Sequence, residues 1–237
     1  LMYHHINPHR GDTVTVSPET FSAHMEFLAR EGIQTLTVRE LLAFIDGNFM
    51  PPARSVLLTF DDGWLDNYMY ALPVLMSMKL RAAFFLVSDR VQAASATPCP
   101  LPPSVPDHDA SKALLASGQA GKVALSWQLI DEMRLTGLAE FHPHSVSHRP
   151  CDDLSPQELA FELIESRRVL GEHLGEISPC FCWPYGRWST TTREAAVTFS
   201  YQGLFTTEPG VVSCSSDPFV IPRIEVREDT NLLHMWG

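Results

Sequence analysis

The sequence predicts an α/β fold built on a parallel sheet, and a barrel suits the number of its repeats. Predicted strands and helices alternate about seven times along the 237 residues, which is the pattern of parallel sheets with crossover helices. This length lies within the range of one α/β barrel domain, so we expect a single domain over residues 1–237. The hydrophobic content of 45% is sufficient for a large core.

The first half of the chain shows strand–helix repeats that are bounded by capping and turn residues. Ser17 and Pro18 are suited to the N-cap and first position of a helix. Thr37 and Glu40 form a capping box for the next helix. A third helix is predicted from Asp66 onward, with a possible kink at Pro73. The predicted strands of this half cover residues 1–6, 33–36, 55–60 and 82–87.

A Pro-rich insertion interrupts the pattern at about residues 89–125. Its prolines at positions 98, 100, 102, 103 and 106 argue against any helix or central strand in this stretch. Long irregular segments inside compact domains are often functional. We therefore predict that the insertion forms a lid or rim over the site.

The second half of the chain resumes the alternation. Ser155, Pro156 and Glu158 form a second capping box with proline at the first helical position, and leucines at helical spacing follow it. Further helices are predicted over residues 126–136 and 190–199. Further strands are predicted over residues 138–141, 178–183, 203–206 and 219–226.

Charge and cysteine content limit the function and the compartment. The formal net charge of −11 argues against a nucleic-acid partner, and no apolar run reaches the roughly 20 residues that a membrane span requires. Five cysteines leave at least one unpaired, which favours a cytoplasmic or membrane-surface location. A periplasmic or secreted location stays open, because the chain starts at Leu1 inside a strand-like run and looks trimmed.

Four predicted strands end in residues suited to catalysis. They lead into Tyr3-His4-His5, Asp61-Asp62-Gly63, the segment 142–148 (HPHSVSH) and the segment 184–186 (PYG). In parallel α/β folds the carboxyl ends of the strands carry the active site, so we expect these segments to converge. Two adjacent carboxylates repel each other unless a cation or proton relieves them. A carboxylate with two imidazoles is a known catalytic zinc set, whereas the alternative interpretation is an ordinary Asp-Asp-Gly turn.

Three of these segments resemble the motifs of a known family. Segment 59–63 (TFDDG), segment 144–148 (HSVSH) and segment 183–186 (WPYG) are similar, in order and spacing, to motifs of the NodB-type polysaccharide deacetylases, carbohydrate esterase family 4. Tyr3-His4 and the aromatic WPYG resemble the circularly permuted poly-N-acetylglucosamine deacetylase subgroup. The resemblance implies a distorted (β/α)7 TIM-like barrel.

The resemblance also implies roles for single residues. Asp61 would be the catalytic base, and the backbone N–H of Tyr185 would help to hold the oxyanion. The cofactor would be a divalent metal, with zinc favoured over other first-row metals, and its ligands would be Asp62, His144 and His148. His4 is favoured as the general acid over His234 and His5, because it fits the N-terminal Tyr-His of the permuted subgroup.

The sequence departs from the family pattern in two places. The arginine expected before Pro-Tyr-Gly is absent, with Cys182 in that neighbourhood, and the aspartate-tryptophan motif is not recognisable. Arg223 could replace the missing arginine, but we favour a surface or structural role for it. His142 is interpreted as a residue that supports or borders the site.

Three further residues are candidates for substrate binding. Trp64 and Trp188 follow two of the catalytic turns, where an indole can stack on a sugar ring or simply fill the rim. The third candidate is Pro184, in the third motif.

The function that the resemblance implies is removal of N-acetyl groups from amino sugars of a polysaccharide or glycolipid, with release of acetate. The alternatives are metal-dependent hydrolysis of another bond, such as an O-acetyl ester or a non-sugar amide, and an inactive barrel that binds carbohydrate. The identity of the sugar and the oligomeric state are not encoded in any motif of the chain.

Overall fold

The structure, a computed structural model, describes residues 1–97 and 99–232. Its strands are short and are numbered in chain order: β1 Met2–Tyr3, β2 His5–Ile6, β3 Thr15–Val16, β4 Gln34–Thr35, β5 Ser55–Val56, β6 Thr59–Phe60, β7 Ala82–Leu86, β8 Ala139–Pro143, β9 Cys180–Cys182 and β10 Gly203–Phe205. The α-helices alternate with them: α1 Pro18–Arg30, α2 Val38–Ile45, α3 Leu72–Met78, α4 Ser88–Ala96, α5 His108–Ala116, α6 Trp127–Leu135, α7 Pro156–Leu174 and α8 Thr190–Thr198. None of the described helices combines the length and apolarity that a bilayer crossing needs.

The central sheet has four parallel strands in the order β1-β6-β7-β8. Phe60 pairs with Phe84, and Phe84 pairs with Phe141, in register across three strands. Their rings stack with centroids 4.9 and 5.5 Å apart, and all three residues are buried. The aromatic layer fixes the register, so the carboxyl ends of β1, β6, β7 and β8 meet at one edge.

The remaining strands extend this arrangement. β9 and β10 form a parallel pair, and single bridges join Phe205 to Ile221 and Met2 to Glu225. The predicted strand over 219–226 is therefore reduced to isolated bridges between β10 and β1. The described residues contain no ladder between β8 and β9. A mixed α/β fold with parallel strands is confirmed, while closure into a barrel stays a prediction.

The predicted capping residues are confirmed. The hydroxyl of Ser17 accepts from the Thr20 N–H at the start of α1, and complete capping boxes begin α2 at Thr37 and α7 at Ser155. These local signals do not depend on distant contacts, which is why the sequence places helix starts well.

The third predicted helix changes type within its length. A π-helical turn over Asn67–Ala71 precedes α3, and the Leu72 N–H bonds the Asn67 carbonyl five residues back. Pro73 follows at once and cannot donate a hydrogen bond, so the change of helix type falls at the predicted kink. The wider turn sets the positions of Asp66 and Asn67, which contact the N-terminal segment.

The prediction for residues 89–125 is wrong in part. Two helices, α4 and α5, lie in or at the start of this stretch. The prolines at 100–106 fall between them, and Pro98 lies outside the described residues. Because proline excludes helix only near its own position, the flanking residues were free to form helices, and the Asp107 side chain caps α5 by accepting from the Ala110 N–H.

Candidate active site

The carboxyl ends of β1, β6, β8 and β9 bring the predicted catalytic segments together. His4 follows β1, Asp61 and Asp62 follow β6, and His144 follows β8. Several residues in these turns adopt positive φ although they are not glycine, namely Asp62 (77°), Ser145 (70°), His148 (61°) and Tyr185 (58°). Such conformations persist only where the surroundings impose them and often mark functional sites.

Asp62 and two histidines surround one small space. The Asp62 Oδ1 atom lies 2.8 Å from His148 Nε2 and 3.6 Å from His144 Nε2. Although it is buried, this oxygen accepts no hydrogen bond from any described residue. The ligand atoms of Asp62, His144 and His148 lie within 4.8 Å of one another, a grouping that could hold a metal ion.

The protonation states of these groups suit a divalent cation. Burial lowers the pKa of His144 to about 4, and its Nδ1 is hydrogen-bonded to the Cys182 carbonyl, which leaves Nε2 facing Asp62. Burial would raise the pKa of Asp62, but His148 and Arg90 hold it well below the ordinary value. A neutral imidazole beside an ionised carboxylate is ready for a metal without prior loss of protons.

A second group with metal-ligating side chains, Asp61, His144 and Cys182, lies next to the first. Arg223 excludes a cation from it, because the guanidinium donates from Nη1 to Asp61 Oδ1 at 2.7 Å and from Nη2 to Asp61 Oδ2 at 2.8 Å. The same Nη2 lies 3.1 Å from Cys182 Sγ. The residues that fit a metal are therefore Asp62, His144 and His148.

Arg223 corrects the role favoured for it from the sequence. It is 4% exposed and forms a two-pronged ion pair with Asp61, whereas we expected a surface or structural arginine. Burial would raise the pKa of Asp61, but Arg223 lowers it to about 2. The third motif lacks the arginine of the family pattern, and the small Cys182 side chain leaves room for the guanidinium of Arg223 instead.

His4 and His5 take different surroundings. His4 Nε2 lies 3.9 Å from Asp61 Oδ2, and the His4 carbonyl accepts from Asn67 Nδ2 at 2.8 Å. His5 is fully buried and its Nδ1 is 2.5 Å from Asp66 Oδ2. Of these two histidines, only His4 therefore contacts the candidate base, and the third candidate acid, His234, lies outside the described residues.

Two of the three predicted substrate-binding residues are buried. Trp64 is 1% exposed and donates from Nε1 to Asp62 Oδ2 at 3.0 Å, and Pro184 is buried as well. The structure does not support a stacking role for either residue, because a sugar cannot reach them. Trp188 is half-buried and donates from Nε1 to Glu208 at 3.1 Å, so it stays a candidate.

Tyr185 exposes 61% of its surface, and its ring centroid lies 4.6 Å from that of His148. The exposed ring therefore borders the candidate metal ligands. From the sequence, we expected Tyr185 to act only through its backbone N–H. His142 instead turns away from the ligands: its Nδ1 is hydrogen-bonded to Ser178 Oγ at 2.8 Å. A role for His142 at the site finds no support in these contacts.

Glu162 was not predicted as a site residue. It lies on α7, is 3% exposed, and accepts from the Val146 and Ser147 N–H groups at 2.7 and 2.9 Å and from the Ser147 hydroxyl. Glu162 therefore holds the turn that presents His148. A signal was present in the sequence, because this carboxylate interrupts the apolar face marked by Leu159 and Leu163.

Known proteins with similar sequences are polysaccharide deacetylases by name. The family model described as polysaccharide deacetylase matches residues 50–204. Among curated proteins, YxkH of Bacillus subtilis, itself only provisionally named a polysaccharide deacetylase, is 28% identical over 226 residues, which cover 95% of this chain and 70% of that protein. The poly-beta-1,6-N-acetyl-D-glucosamine N-deacetylase of Staphylococcus epidermidis is 24% identical, over 94% of this chain and 72% of that protein.

Solved structures of similar fold cover nearly the whole chain. The Streptococcus pyogenes deacetylase PplD in complex with acetate has a TM-score of 0.83 and 23% identity, and the match covers 100% of this chain and 95% of that one. IcaB from Ammonifex degensii has a TM-score of 0.76 and 25% identity, with 96% and 91% covered. These likenesses agree with the α/β architecture described above.

Proposed function

The chain belongs to the polysaccharide deacetylase family, and on that premise we propose that it is a metal-dependent hydrolase that removes N-acetyl groups from amino sugars of a polysaccharide or glycolipid. One observation carries this proposal: the unpartnered Asp62 Oδ1 faces two histidines directly beside the ionised Asp61. The names of relatives that act on poly-beta-1,6-N-acetyl-D-glucosamine support an N-acetylated glycan as substrate.

The proposed metal ligands are Asp62, His144 and His148. A divalent cation held there, with zinc the first candidate, would polarise the acetamide carbonyl and acidify water. The chain prepares this site through the neutral His144 and the ionised Asp62. Glu162 keeps the His148 turn in place through backbone N–H groups.

Asp61 is the proposed general base. Arg223 keeps it ionised and occupies one side of both carboxylate oxygens, which fixes the plane of the carboxylate. A water molecule that attacks the acetamide carbon would give its proton to Asp61. Because a carboxylate with a pKa of about 2 holds a proton poorly, it would return this proton to His4, whose Nε2 lies 3.9 Å away, after His4 has protonated the leaving nitrogen.

His4 is the proposed general acid. Its Nε2 lies 3.9 Å from Asp61 Oδ2. As the C–N bond breaks, His4 would protonate the departing nitrogen, so that the products are a free amino sugar and acetate. Asn67 holds the His4 backbone for this step.

Tyr185 and Trp188 are proposed to face the substrate. The Tyr185 backbone N–H would stabilise the oxyanion, and its exposed ring and the half-buried Trp188 indole offer apolar faces for sugar C–H groups. We also propose that the chain forms a single domain with a distorted barrel. The isolated bridges that connect β10 to β1 through residues 221 and 225 support this proposal.

Acetate release tests the proposal. The full chain is stripped of metal, reconstituted with zinc, and incubated with N-acetylglucosamine oligomers of different linkage. O-acetylated sugars of the same length form the comparison set. We expect zinc-dependent acetate release from the N-acetylated oligomers.

Release only from the O-acetylated sugars would replace the proposal with an esterase. Binding of oligomers without any acetate release would indicate an inactive carbohydrate-binding domain.

A further inference from the structure

The indole of Trp64 decides which oxygen of Asp62 faces the two histidines. Its N–H donates to Asp62 Oδ2 at 3.0 Å, so this oxygen is occupied and Oδ1 is left toward His148 at 2.8 Å. A carboxylate ligand held in this way does not need to be ordered when a metal arrives, and such supporting hydrogen bonds strengthen metal binding.

Trp64 is itself fixed by two neighbours, the His5 ring and the Arg90 guanidinium. The His5 ring stacks on it with centroids 4.3 Å apart and planes inclined by 28°. The Arg90 guanidinium lies 5.0 Å from the centre of the indole, and its Nη1 is 3.4 Å from Asp62 Oδ1. The indole is 1% exposed, so these contacts replace solvent around it.

His5 connects this arrangement to the Pro-rich insertion. Its Nε2 lies 3.1 Å from Nδ1 of His108, the first residue of α5. Burial alone would lower the pKa of His5, but Asp66 raises it, whereas burial and His5 lower the pKa of His108. A hydrogen bond between their ring nitrogens joins His5 to the start of α5.

The insertion meets the N-terminal segment at a second point. Asn7 Nδ2 donates to the Pro106 carbonyl at 2.9 Å, and the same amide lies 3.2 Å from Asp66 Oδ2. Residues 106–108 are thus fastened to the segment that contains His5.

The far end of the insertion pairs with the Asp62 turn itself. Leu65 N–H donates to the Val123 carbonyl at 2.8 Å, and Leu125 N–H donates to the Gly63 carbonyl at 3.0 Å. Trp64 forms an antiparallel bridge with Ala124 between these bonds. The insertion therefore contacts the metal-ligand turn directly through residues 123–125, and through His5 from residues 106–108.

We propose that the insertion acts as a clamp that holds Asp62 in its metal-binding orientation, with Trp64 and His5 as the positioning residues that carry its effect. This inference rests on the proposed metal site. In place of the predicted lid or rim over the site, it gives the insertion a role in supporting the ligand turn. The clamp consists of residues 106–108 and 123–125 of the insertion, and it acts on Asp62 through Trp64 and His5.

Zinc affinity of the metal-free full chain, measured by competition with a chromophoric chelator, tests the clamp. Trp64→Phe keeps a ring but loses the N–H that binds Asp62. We expect zinc affinity to fall about 10- to 100-fold, the range for loss of a supporting hydrogen bond. Trp127→Phe is the matched control, because Trp127 also stacks on a histidine, His173, with centroids 4.2 Å apart, away from the site. Its zinc affinity is expected to equal that of the parent.

A second variant makes the test independent of the folding of Trp64→Phe. His108 is half-buried, so His108→Ala keeps the indole N–H that binds Asp62 and removes only the contacts of α5 with His5 and with the indole. We expect a smaller loss of zinc affinity, roughly ten-fold or less, with an unchanged melting temperature of the metal-free protein. His173→Ala is its control. Parent-like zinc affinity in a folded Trp64→Phe, or in His108→Ala if Trp64→Phe does not fold, would overturn the clamp.

The outcomes separate the clamp from the proposed function. A parent that binds zinc, with Trp64→Phe weakened, but that releases no acetate supports the clamp and contradicts the deacetylase proposal. A parent that binds no divalent metal overturns both.

Discussion

Asp61 and Asp62 are neighbours in sequence and almost equally buried, at 2% and 7% exposure, yet their surroundings differ completely. Asp61 still belongs to the sheet, since its N–H donates to the Tyr3 carbonyl, and both of its oxygens are bound by Arg223. Asp62 adopts a φ of 77°, which turns the chain out of the sheet, and one of its oxygens has no hydrogen-bond partner.

The difference shows how one turn can supply two chemical functions. Arg223 binds both oxygens of Asp61, which stays available for proton transfer. Asp62 Oδ1 instead has two imidazoles and the Arg90 guanidinium around it but accepts no hydrogen bond. The left-handed conformation of Asp62 itself sends the two side chains to different partners. Each of the following predictions changes one side of this comparison and leaves the other intact.

The largest expected effect comes from Asp61→Asn. The amide keeps the size of the side chain but cannot take a proton from water, so kcat should fall about 10³-fold or more, near the upper range for a general base. Steady-state acetate release under saturating zinc measures it. Turnover within ten-fold of the parent would remove Asp61 from the role of base.

Arg223→Gln should reduce kcat/KM about 10- to 100-fold. The substitution removes two charge-assisted hydrogen bonds from Asp61 and leaves a buried carboxylate without its cation. Zinc content should stay at the parent level, because Arg223 does not contact Asp62, His144 or His148. A variant that loses zinc together with activity would contradict the separation of the two sides.

The pH dependence of the same variant sharpens the comparison. In the parent, Arg223 holds the pKa of Asp61 at about 2, so Asp61 contributes no acid limb to kcat/KM in the weakly acidic range. The depressed pKa also stabilises the fold at pH values above about 3.9, the pKa of an aspartate in the unfolded chain. This stabilisation is lost as the pH falls toward the pKa of Asp61 in the folded protein.

In Arg223→Gln, burial raises the pKa of Asp61, and we expect a new acid limb in the kcat/KM profile at higher pH than in the parent. Superimposable pH profiles would contradict this account of Asp61.

Glu162→Gln, which alters the turn that holds His148, should give the smallest effect of the series, a change in the free energy of unfolding. Loss of the charge weakens the hydrogen bonds from Val146 and Ser147, which should lower the free energy of unfolding by about 1–3 kcal/mol. Chemical denaturation measures the change. Glu165→Gln on the same helix is the control: it faces solvent and pairs with Arg168, so we expect about 0.5 kcal/mol or less. Equal effects of the two variants would remove the special role of Glu162.

The sequence was sufficient for the local features of the fold and, through the family resemblance, for the candidate metal ligands that the structure brings together. Caps at Ser17, Thr37 and Ser155 are confirmed because they depend on residues three positions away. Asp61, Asp62, His144 and His148 meet because parallel strands place their carboxyl ends at one edge.

The contacts that the sequence could not provide are long-range ones. Arg223 is 162 positions from Asp61, and no periodicity marks its partner. Trp64 looked suited to a sugar, because its sequence position does not reveal that His5 and the insertion bury it. Partner choice at such distances is decided by tertiary packing, and single-residue patterns carry no information about it.

The zinc content of Asp61→Asn and Asp62→Asn, measured side by side after dialysis against a limiting zinc buffer, tests the division of the two carboxylates most directly. The account predicts parent-like zinc in Asp61→Asn and little or none in Asp62→Asn, since only Asp62 faces the two histidines. Zinc that is lost from Asp61→Asn and retained by Asp62→Asn would contradict it.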